Sequence, residues 1–326
     1  MLSIKKLFFI FSILLSFAVH AEDELSGKLT VFHAGSLSVP LKQIVTQFRQ
    51  LHPNLDVQLE AAGSIDSARK ISELKRPCDV LASADYLVID HILIPEYADW
   101  NIKFASNEMT LVYHKNSRRS EELTEANWFE ILLDPKISFG RADPNADPCG
   151  YRAVLTMQLA ERYYNKPGLA QAILQKETRF MRPKETDLLA LLESSTIDYI
   201  FLYRSVAEQH GLKYLRLPDQ INLKNSQLAS HYATTQVELV GKTPNEKIVQ
   251  KGEPMIYGLT IPKNSPNPKA ATAFVKYVLT ANQGMSVIEK LGQPSVVPSP
   301  CEQWDRLPST LKPFALNPTR TELLQK

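Results

Sequence analysis

In the first third of the chain, segments with the apolar pattern of a strand alternate with segments that have the apolar spacing of a helix. The apolar run in "KLTVFHAGS" predicts a buried strand, and the spacing in "PLKQIVTQFRQLH" places Leu41, Ile44, Val45 and Phe48 along one face of a helix. The alternation in "NLDVQLE" predicts a second strand, "IDSARKISELK" has a helical stripe, and "CDVLASAD" is typical of a short third strand. Strand, helix, strand, helix and strand in this order indicate a parallel α/β sheet with right-handed crossovers.

The rest of the chain continues in this style, without an internal repeat or a long linker. Strands are predicted in "EMTLVYH", "KISFGRA", "DYIFLY", "KYLRLP", "VELVG" and "PMIYGLTIP", and helices in segments such as "GYRAVLTMQLAERYY" and "RPKETDLLALLESS". Two similar halves favour an α/β fold with two lobes around a cleft, because ligands of open α/β sheets bind at the carboxyl ends of strands. We assign residues 27–107 and 257–310 to lobe 1, 108–256 to lobe 2 and 311–326 to a C-terminal tail.

Two further expectations concern the connections of this fold. The segments near "SNEMTLVY" and "EPMIYGLT" are expected to cross between the lobes and to act as a hinge. The proline-rich segment from Pro294 is expected to lie on the surface as irregular chain. The first expectation follows from the position of the two segments at the boundaries of the predicted lobes, and the second follows from the proline content of the segment.

The N-terminal segment has the layout of a secretory signal peptide. A charged start with two lysines precedes an apolar run from Leu7 to Val19, and small residues follow up to Ala21. The run is shorter than the roughly 20 apolar residues that a membrane-spanning helix needs. We therefore expect residues 1–21 to be removed on export and the mature chain to be periplasmic.

Charge and cysteine content argue against several classes of protein. The chain has 37 Lys and Arg against 35 Asp and Glu, and two of the lysines belong to the predicted signal peptide, so the mature chain is formally neutral. A neutral chain favours neither a nucleic-acid nor a membrane partner. Its three cysteines, Cys78, Cys149 and Cys301, allow at most one internal disulfide, so a disulfide framework does not hold the fold.

Three turns at predicted strand ends have the residues of an anion-binding site. "HAGS" places Ser36 after the first strand, "AAGS" places Ser64 after the second, and "DPCG" places Gly150 ahead of a helix. Taken singly, each serine is better explained as a helix cap. Two Gly-Ser pairs at equivalent strand ends instead favour a small oxyanion, because glycine lets a ligand approach free N–H groups at the positive end of a helix.

Signatures of other chemistry are weak in this sequence. It has no GxxxxGK[ST] loop, no GxGxxG, and no HExxH or other metal-ligand spacing of histidine or cysteine. "SARK", from Ser67 to Lys70, matches the SxxK of penicillin-interactive serine enzymes, but their SDN and KTG elements are missing. His33 precedes Ser36 without a GxSxG elbow, which favours a packed or cleft-lining histidine. An exported serine hydrolase using Ser36 or Ser67 remains the alternative from another class.

Eight segments, in order along nearly the whole mature chain, resemble the substrate-binding proteins of tungstate and molybdate ABC importers, especially the tungstate-binding branch of archaea. They are "TVFHAGSLSVP", "EAAGSIDSARKI", "DVLASADY", "YADW", "FASNEM", "DPNADPCGYRA", "RPKETDLLALLE" and "LGQPSVVP". The resemblance implies a two-lobed periplasmic binding protein of type II that binds the oxyanion and presents it to a membrane permease. It further implies a monomer without catalysis and without a cofactor. A receptor for another oxyanion, such as sulfate, is the alternative within the same class.

The resemblance also implies which groups hydrogen-bond to the oxyanion. They are the hydroxyls of Ser36, Ser64 and Tyr203 and the backbone N–H of Cys149. Because Cys149 then belongs to the ligand turn, Cys78 and Cys301 are the pair left for a disulfide, which export permits.

The tungstate-binding branch adds two carboxylates that contact the metal. The matching positions are Asp147 in "ADPCG" and Glu185 in "PKE", with Asp143 as the weaker candidate for the first. An ionised carboxylate accepts but cannot donate hydrogen bonds, so it repels a dianion unless it reaches the metal and expands its coordination from four to six, or is protonated. Sulfate and phosphate have compact centres that resist this expansion, so the carboxylates would select against them. Without the resemblance, both acids would be interpreted as partners of helix N-termini.

Overall fold

In a computed structural model, the chain is described over residues 24–176, 178–241 and 245–319, so the predicted signal peptide lies outside the described residues. The strands are β1 Gly27–His33, β2 Leu55–Ala61, β3 Val80–Ser83, β4 Ile102–Ser106, β5 Met109–Tyr113, β6 Phe139–Ala142, β7 Met181–Arg182, β8 Tyr199–Tyr203, β9 Lys213–Arg216, β10 Gln236–Val240, β11 Lys247–Lys251, β12 Ile256–Thr260, β13 Ser299–Pro300 and β14 Ala315–Leu316. The α-helices are α1 Ser38–Leu51, α2 Ser64–Ser72, α3 Tyr86–Val88, α4 Trp128–Leu133, α5 Pro148–Tyr163, α6 Leu169–Lys176, α7 Leu189–Glu193, α8 Arg204–Gln209, α9 Ala229–Tyr232, α10 Pro268–Leu279 and α11 Gly284–Lys290. Within these ranges, no helix combines the length and the apolar character needed to cross a lipid bilayer.

The first sheet has the strand order β2-β1-β3-β12-β4. Strand β1 is parallel to β2 and β3, as the alternation of strands and helices predicts, and β12 returns antiparallel to β3 and β4. The predicted apolar face of α1 is buried, since Leu41, Ile44, Val45 and Phe48 are at most 7% exposed. Burial of each such side chain contributes about 1.5–3 kcal/mol, which fixes the helix against the core around this sheet.

The second sheet has the strand order β7-β6-β8-β5-β9. Strand β6 is parallel to β7 and β8, whereas β5 is antiparallel to β8 and β9. The chain passes from the first sheet to the second between Ser106 and Met109 and returns to the first at Ile256. The predicted fold class, an α/β protein with two mixed sheets flanked by helices, is confirmed. The division into lobes at residues 107 and 257 stays a prediction, as does hinge motion.

Several short elements escaped the sequence prediction. Strand β7 has only two residues, and β11 pairs antiparallel with β10 in a hairpin whose side chains are mostly exposed. Neither element buries a continuous apolar face, so the apolar pattern contains little signal for it. The helix α6 lies in a segment that the pattern left unassigned, although Leu169, Ala170 and Ile173 are buried.

The expectation for the segment from Pro294 is wrong in part. The segment is irregular, but it packs along β4 as an additional edge rather than lying free on the surface. The Ser106 N–H donates to the Pro294 carbonyl, and the Val296 N–H donates to the Phe104 carbonyl. Cys301, further along, is fully buried. Backbone hydrogen bonding to a sheet edge is independent of side-chain pattern, which explains why the sequence did not indicate it.

The disulfide hypothesis for Cys78 and Cys301 is wrong. All three cysteines of the described chain are buried free thiols. The Cys78 thiol donates to the Val80 carbonyl, and the Cys301 thiol donates to the Asn101 carbonyl. Burial raises the pKa of the Cys78 thiol to about 12, so this group stays protonated and unreactive at neutral pH.

Candidate functional site

Ends of strands and starts of helices from both sheets meet at one place. Strand β1 leads through the 3₁₀ turn Gly35–Leu37 into α1, and α2 begins at Ser64 soon after β2. In the second sheet, α5 begins at Pro148, and a 3₁₀ turn, Glu185–Leu188, precedes α7. All six predicted site residues are at most 2% exposed: Ser36, Ser64, Asp147, Cys149, Glu185 and Tyr203.

The glycines of the two Gly-Ser turns allow the two sheets to approach each other closely. A Cβ atom on Gly63 would lie 2.2 Å from the Ala146 carbonyl oxygen, and one on Gly35 would lie 2.7 Å from a carboxyl oxygen of Glu185. At Gly63 the clash would be with backbone, so this position requires glycine for steric reasons, whereas at Gly35 a side chain would displace the Glu185 carboxyl. This approach brings Ser36 and Ser64 next to Asp147 and Glu185.

Each of the three predicted hydroxyls accepts a hydrogen bond from the protein. The Ser36 Oγ accepts a hydrogen bond from the Tyr257 hydroxyl at 3.0 Å, and the Ser64 Oγ accepts one from the Ala84 N–H at 2.9 Å. The Tyr203 hydroxyl oxygen accepts one from the Arg152 guanidinium at 3.0 Å. Among the described residues, no acceptor takes the hydrogen of any of these three hydroxyls. Since each hydroxyl has one hydrogen to donate, all three remain donors for a ligand.

Helix capping does not explain the two serines. Ser36 lies inside the 3₁₀ turn before α1, and neither that turn nor α1 has a side-chain cap. Ser64 is the first residue of α2, whose cap position is Gly63. The hydroxyl of Ser64 instead binds a backbone N–H from the loop after β3. The structure therefore decides against the capping interpretation that each serine, taken singly, favoured.

Asp147 caps helix α5. One carboxyl oxygen accepts the Cys149 N–H at 2.8 Å, and the other accepts the Glu185 N–H at 3.2 Å. The Cys149 N–H, which the resemblance assigns to the oxyanion, therefore binds Asp147 in this structure. It becomes available to a ligand oxygen only when the Asp147 carboxyl turns away from it.

The carboxyl group of Glu185 is completely buried beside the Asp147 carboxyl and near the Ser36 N–H, but within the described residues neither of its oxygens has a partner with full hydrogen-bond geometry. Burial, and then the adjacent charge of Asp147, raise the pKa of Glu185 well above its ordinary range. Burial also raises the pKa of Asp147, although the contact with the Glu185 carboxyl, and then the hydrogen bonds from the Cys149 and Glu185 N–H groups, oppose the shift. An unpaired carboxyl in this position destabilises the ligand-free protein, which indicates a role in binding.

The weaker alternatives from the sequence take up local roles. Asp143 is half-buried, and its carboxyl accepts the Asn145 N–H in the turn before α5. The His33 Nδ1 lies 2.8 Å from the Ala34 carbonyl oxygen, and burial lowers the pKa of His33 to about 4. In the described chain, neither Ser36 nor Ser67 hydrogen-bonds to a histidine. The arrangement of a base-activated serine is therefore not formed around either residue.

The sequence analysis missed a buried arginine and its partners. Arg152, one turn into α5, is 3% exposed and donates to the Ala84 carbonyl at 2.8 Å and to the Tyr203 hydroxyl. It also pairs with the Asp85 carboxylate at 3.0 Å, to which the Tyr151 hydroxyl donates as well. The segments "DVLASADY" and "DPCGYRA" contain these residues, but their pairing joins the two sheets and has no local signal. In the described residues there is no cluster of three or more His, Cys, Asp or Glu that could bind a free metal ion.

Residues 29–292 match the family model of bacterial extracellular solute-binding proteins. An uncharacterized solute-binding protein of Petrotoga mobilis is 47% identical over 95% of this chain and 96% of its own length. The molybdate/tungstate-binding protein WtpA of Pyrococcus abyssi is 37% identical over 84% of this chain and 86% of its own length. The molybdate/tungstate-binding protein WtpA of Thermococcus kodakarensis is 39% identical over 79% of this chain and 79% of its own length.

Solved structures share the same fold at low sequence identity. The periplasmic molybdate-binding protein of Azotobacter vinelandii matches with a TM-score of 0.60 at 15% identity, over 83% of this chain and 99% of its own. The sulfate-binding protein SubI of Mycobacterium tuberculosis matches with a TM-score of 0.59 at 16% identity, over 83% of this chain and 88% of its own. The family match over most of the chain and the relatives well above 30% identity lead to one conclusion: the chain belongs to the bacterial extracellular solute-binding protein family.

Proposed function

We propose that this protein binds molybdate and tungstate in the periplasm and delivers them to the membrane permease of an ABC importer. The observation that carries the proposal is the unpaired, fully buried carboxyl of Glu185 beside three hydroxyls, each with a hydrogen left to donate. Two relatives that are named for binding molybdate and tungstate support it. The protein acts as a monomeric receptor, without catalysis and without a resident cofactor.

The donor groups of the site suit a fully deprotonated oxyanion. The hydroxyls of Ser36, Ser64 and Tyr203 would each donate to a ligand oxygen, and such an oxygen only accepts. The charge of Arg152 is already matched by Asp85, so the guanidinium orients Tyr203 rather than neutralising the ligand. Hydrogen bonds to a charged group contribute about 1.5–3 kcal/mol each, so three of them support tight binding.

The carboxyls of Asp147 and Glu185 give the proposed selectivity. Where ionised, either carboxylate would repel the oxygens of a dianion, so it favours binding only by reaching the metal of molybdate or tungstate. Sulfur and phosphorus do not accept two further oxygen ligands in this way. The same residues would therefore penalise sulfate and phosphate, which are the abundant competitors.

A thermal-shift screen of oxyanions tests the proposal. Micromolar sodium molybdate or tungstate should raise the melting temperature, since a ligand at a hundredfold excess over its Kd stabilises the folded protein by about 2.7 kcal/mol. Millimolar sulfate or phosphate should change it little. The variants Ser36→Ala and Ser64→Ala should lose most of the shift, whereas Ser72→Ala, at the far end of α2, should keep it. A larger shift with sulfate than with tungstate would contradict the proposal.

A further inference from the structure

The side chain of Asn107 has a fixed orientation between the two sheets. Its amide oxygen accepts the Glu108 N–H at 2.9 Å and the Ser205 N–H at 3.4 Å. Two backbone donors identify this atom as the oxygen, because the amide nitrogen could not accept from them. The amide nitrogen therefore points to the other side, where it donates to the Ser205 Oγ at 2.8 Å and to the Tyr257 hydroxyl at 3.0 Å.

This orientation determines the direction of the next hydrogen bond. Because Asn107 donates to the Tyr257 hydroxyl, that hydroxyl has its own hydrogen left to donate, and the Ser36 Oγ lies 3.0 Å from it. Tyr257 is fully buried, and burial raises its pKa to about 12, so the hydroxyl keeps its hydrogen at neutral pH. Ser36 thus accepts from Tyr257, and its single hydrogen is directed elsewhere.

We propose that Asn107 and Tyr257 are positioning residues that hold the Ser36 hydroxyl as a donor to the bound oxyanion. The inference rests on the proposed function, because it assigns the recipient of the Ser36 hydrogen to the ligand. Neither residue touches the oxyanion itself. Their effect is to prevent the Ser36 hydroxyl from turning its hydrogen towards the protein, where it would present a lone pair to an anion.

The position of Asn107 also links this hydrogen-bond chain to the connection between the sheets. Asn107 lies in the two-residue crossover between β4 and β5. Of its two acceptors, Ser205 belongs to α8, next to the second sheet, and Tyr257 belongs to β12 in the first. The orientation that fixes Ser36 as a donor is therefore defined only when both sheets hold their present relative position. A change of angle at the crossover would release the Ser36 hydroxyl.

A double-mutant cycle measured by isothermal titration with sodium molybdate tests the inference. In the otherwise unchanged protein, Tyr257→Phe should weaken binding about tenfold, because the Ser36 hydroxyl is no longer oriented. In the Ser36→Ala background the same change should weaken binding by less than about twofold, since its effect passes through Ser36. Tyr277→Phe, which removes a hydroxyl that donates to Gln47 and not to Ser36, should have no effect in either background.

The variant Asn107→Asp supplies a second measurement that does not depend on the tyrosine. Aspartate accepts from Tyr257 instead of donating to it, so the chain of hydrogen bonds reverses and the Ser36 hydrogen is drawn towards the protein. Asn107→Asp should therefore weaken molybdate binding, and this loss of affinity should again be smaller in the Ser36→Ala background. Equal losses in both backgrounds, or no loss from either variant, would overturn the inference while molybdate binding by the parent protein stands. Absence of molybdate and tungstate binding by the parent protein would instead overturn the proposed function.

Discussion

At the scale of single residues, the site combines groups that stabilise the fold poorly and groups that bind a ligand well. Glu185 is the clearest case, because a buried carboxyl without a partner next to a second carboxyl raises the free energy of the folded state. The pKa of Glu185 is higher in the folded than in the unfolded protein. The folded state therefore takes up protons through this group, and stability falls as the pH rises from the unfolded value, about 4.3, upwards.

The variant Glu185→Gln tests this conflict between stability and binding. At pH 7 to 8 the ligand-free variant should be more stable than the parent by about 1–3 kcal/mol, because it lacks the group whose ionisation favours the unfolded chain and because its amide can donate to Asp147. The gain should shrink as the pH falls towards 4.5, where the parent carboxyl is protonated as well. Urea denaturation between pH 4.5 and 8 measures the free energy of unfolding of the variant and of the parent protein. Glu193→Gln, an exposed change nearby, is the control, and an equal effect there would refute the explanation.

The same variant should bind tungstate more weakly, since it lacks the charged oxygen proposed to reach the metal. X-ray absorption on the tungstate complex reports the coordination directly. We expect a six-coordinate metal with four oxo ligands and one oxygen each from Asp147 and Glu185. A shell of four short distances alone would show that these acids do not bind the metal, and would leave Asp147 as the cap of α5.

At the scale of elements, the N-terminal part of α5 contributes to the site in three ways. Its cap is Asp147, its first N–H groups include that of Cys149, and its buried Arg152 orients Tyr203. Much of this was predictable, because a strand followed by "DPCG" and a helical pattern defines the junction locally. Arg152 was not, because its partner Asp85 is distant in sequence and the pair forms only between the two sheets.

The fold shows the same division between local and long-range information. The apolar stripe of α1 and the parallel pairing of β1 with β2 and β3 follow from side-chain periodicity. The hairpin of β10 and β11 follows only in part, since "VELVG" predicts β10, but the mostly exposed side chains of β11 contain little signal. Arg69 on α2 donates to the carbonyls of Asn145, Val240 and Gly241, and so attaches the hairpin to both a neighbouring helix and the turn before α5.

Removal of this attachment should loosen the hairpin without unfolding the protein. In Arg69→Met, amide hydrogens of β10 and β11 should exchange at least about tenfold faster, because hydrogen bonds from a charged donor contribute about 1.5–3 kcal/mol. Lys70→Met is a matched control, since Lys70 pairs with Glu60 and does not contact the hairpin. Hydrogen exchange followed by mass spectrometry measures both. Unchanged protection in Arg69→Met would show that the other contacts of the hairpin, from Asn145 and Gln158, hold it without Arg69.

At the scale of the whole molecule, buried polar contacts join the two sheets at the site. The ion pair between Arg152 and Asp85 is the central one, and it is nearly inaccessible to water. A buried ion pair of this kind contributes little net free energy to the stability of the fold. Loss of one partner nevertheless costs about 3–5 kcal/mol, because the other charge is left buried and unpaired. The relative position of the sheets is thus sensitive to single residues, which agrees with the prediction of a hinge between them.

The variant Arg152→Met should therefore favour the open arrangement and weaken molybdate binding by more than about a hundredfold. Small-angle X-ray scattering should show that the parent protein becomes more compact when molybdate is added, and that the variant does so only at much higher concentration, if at all. The double variant Asp85→Asn with Arg152→Met should recover part of the affinity, because no charge is left unpaired. Arg118→Met also breaks an arginine–carboxylate pair, with Asp198, but both partners lie beside the second sheet, so compaction should be retained. If Arg152→Met compacts and binds like the parent protein, the ion pair is not what couples the two sheets.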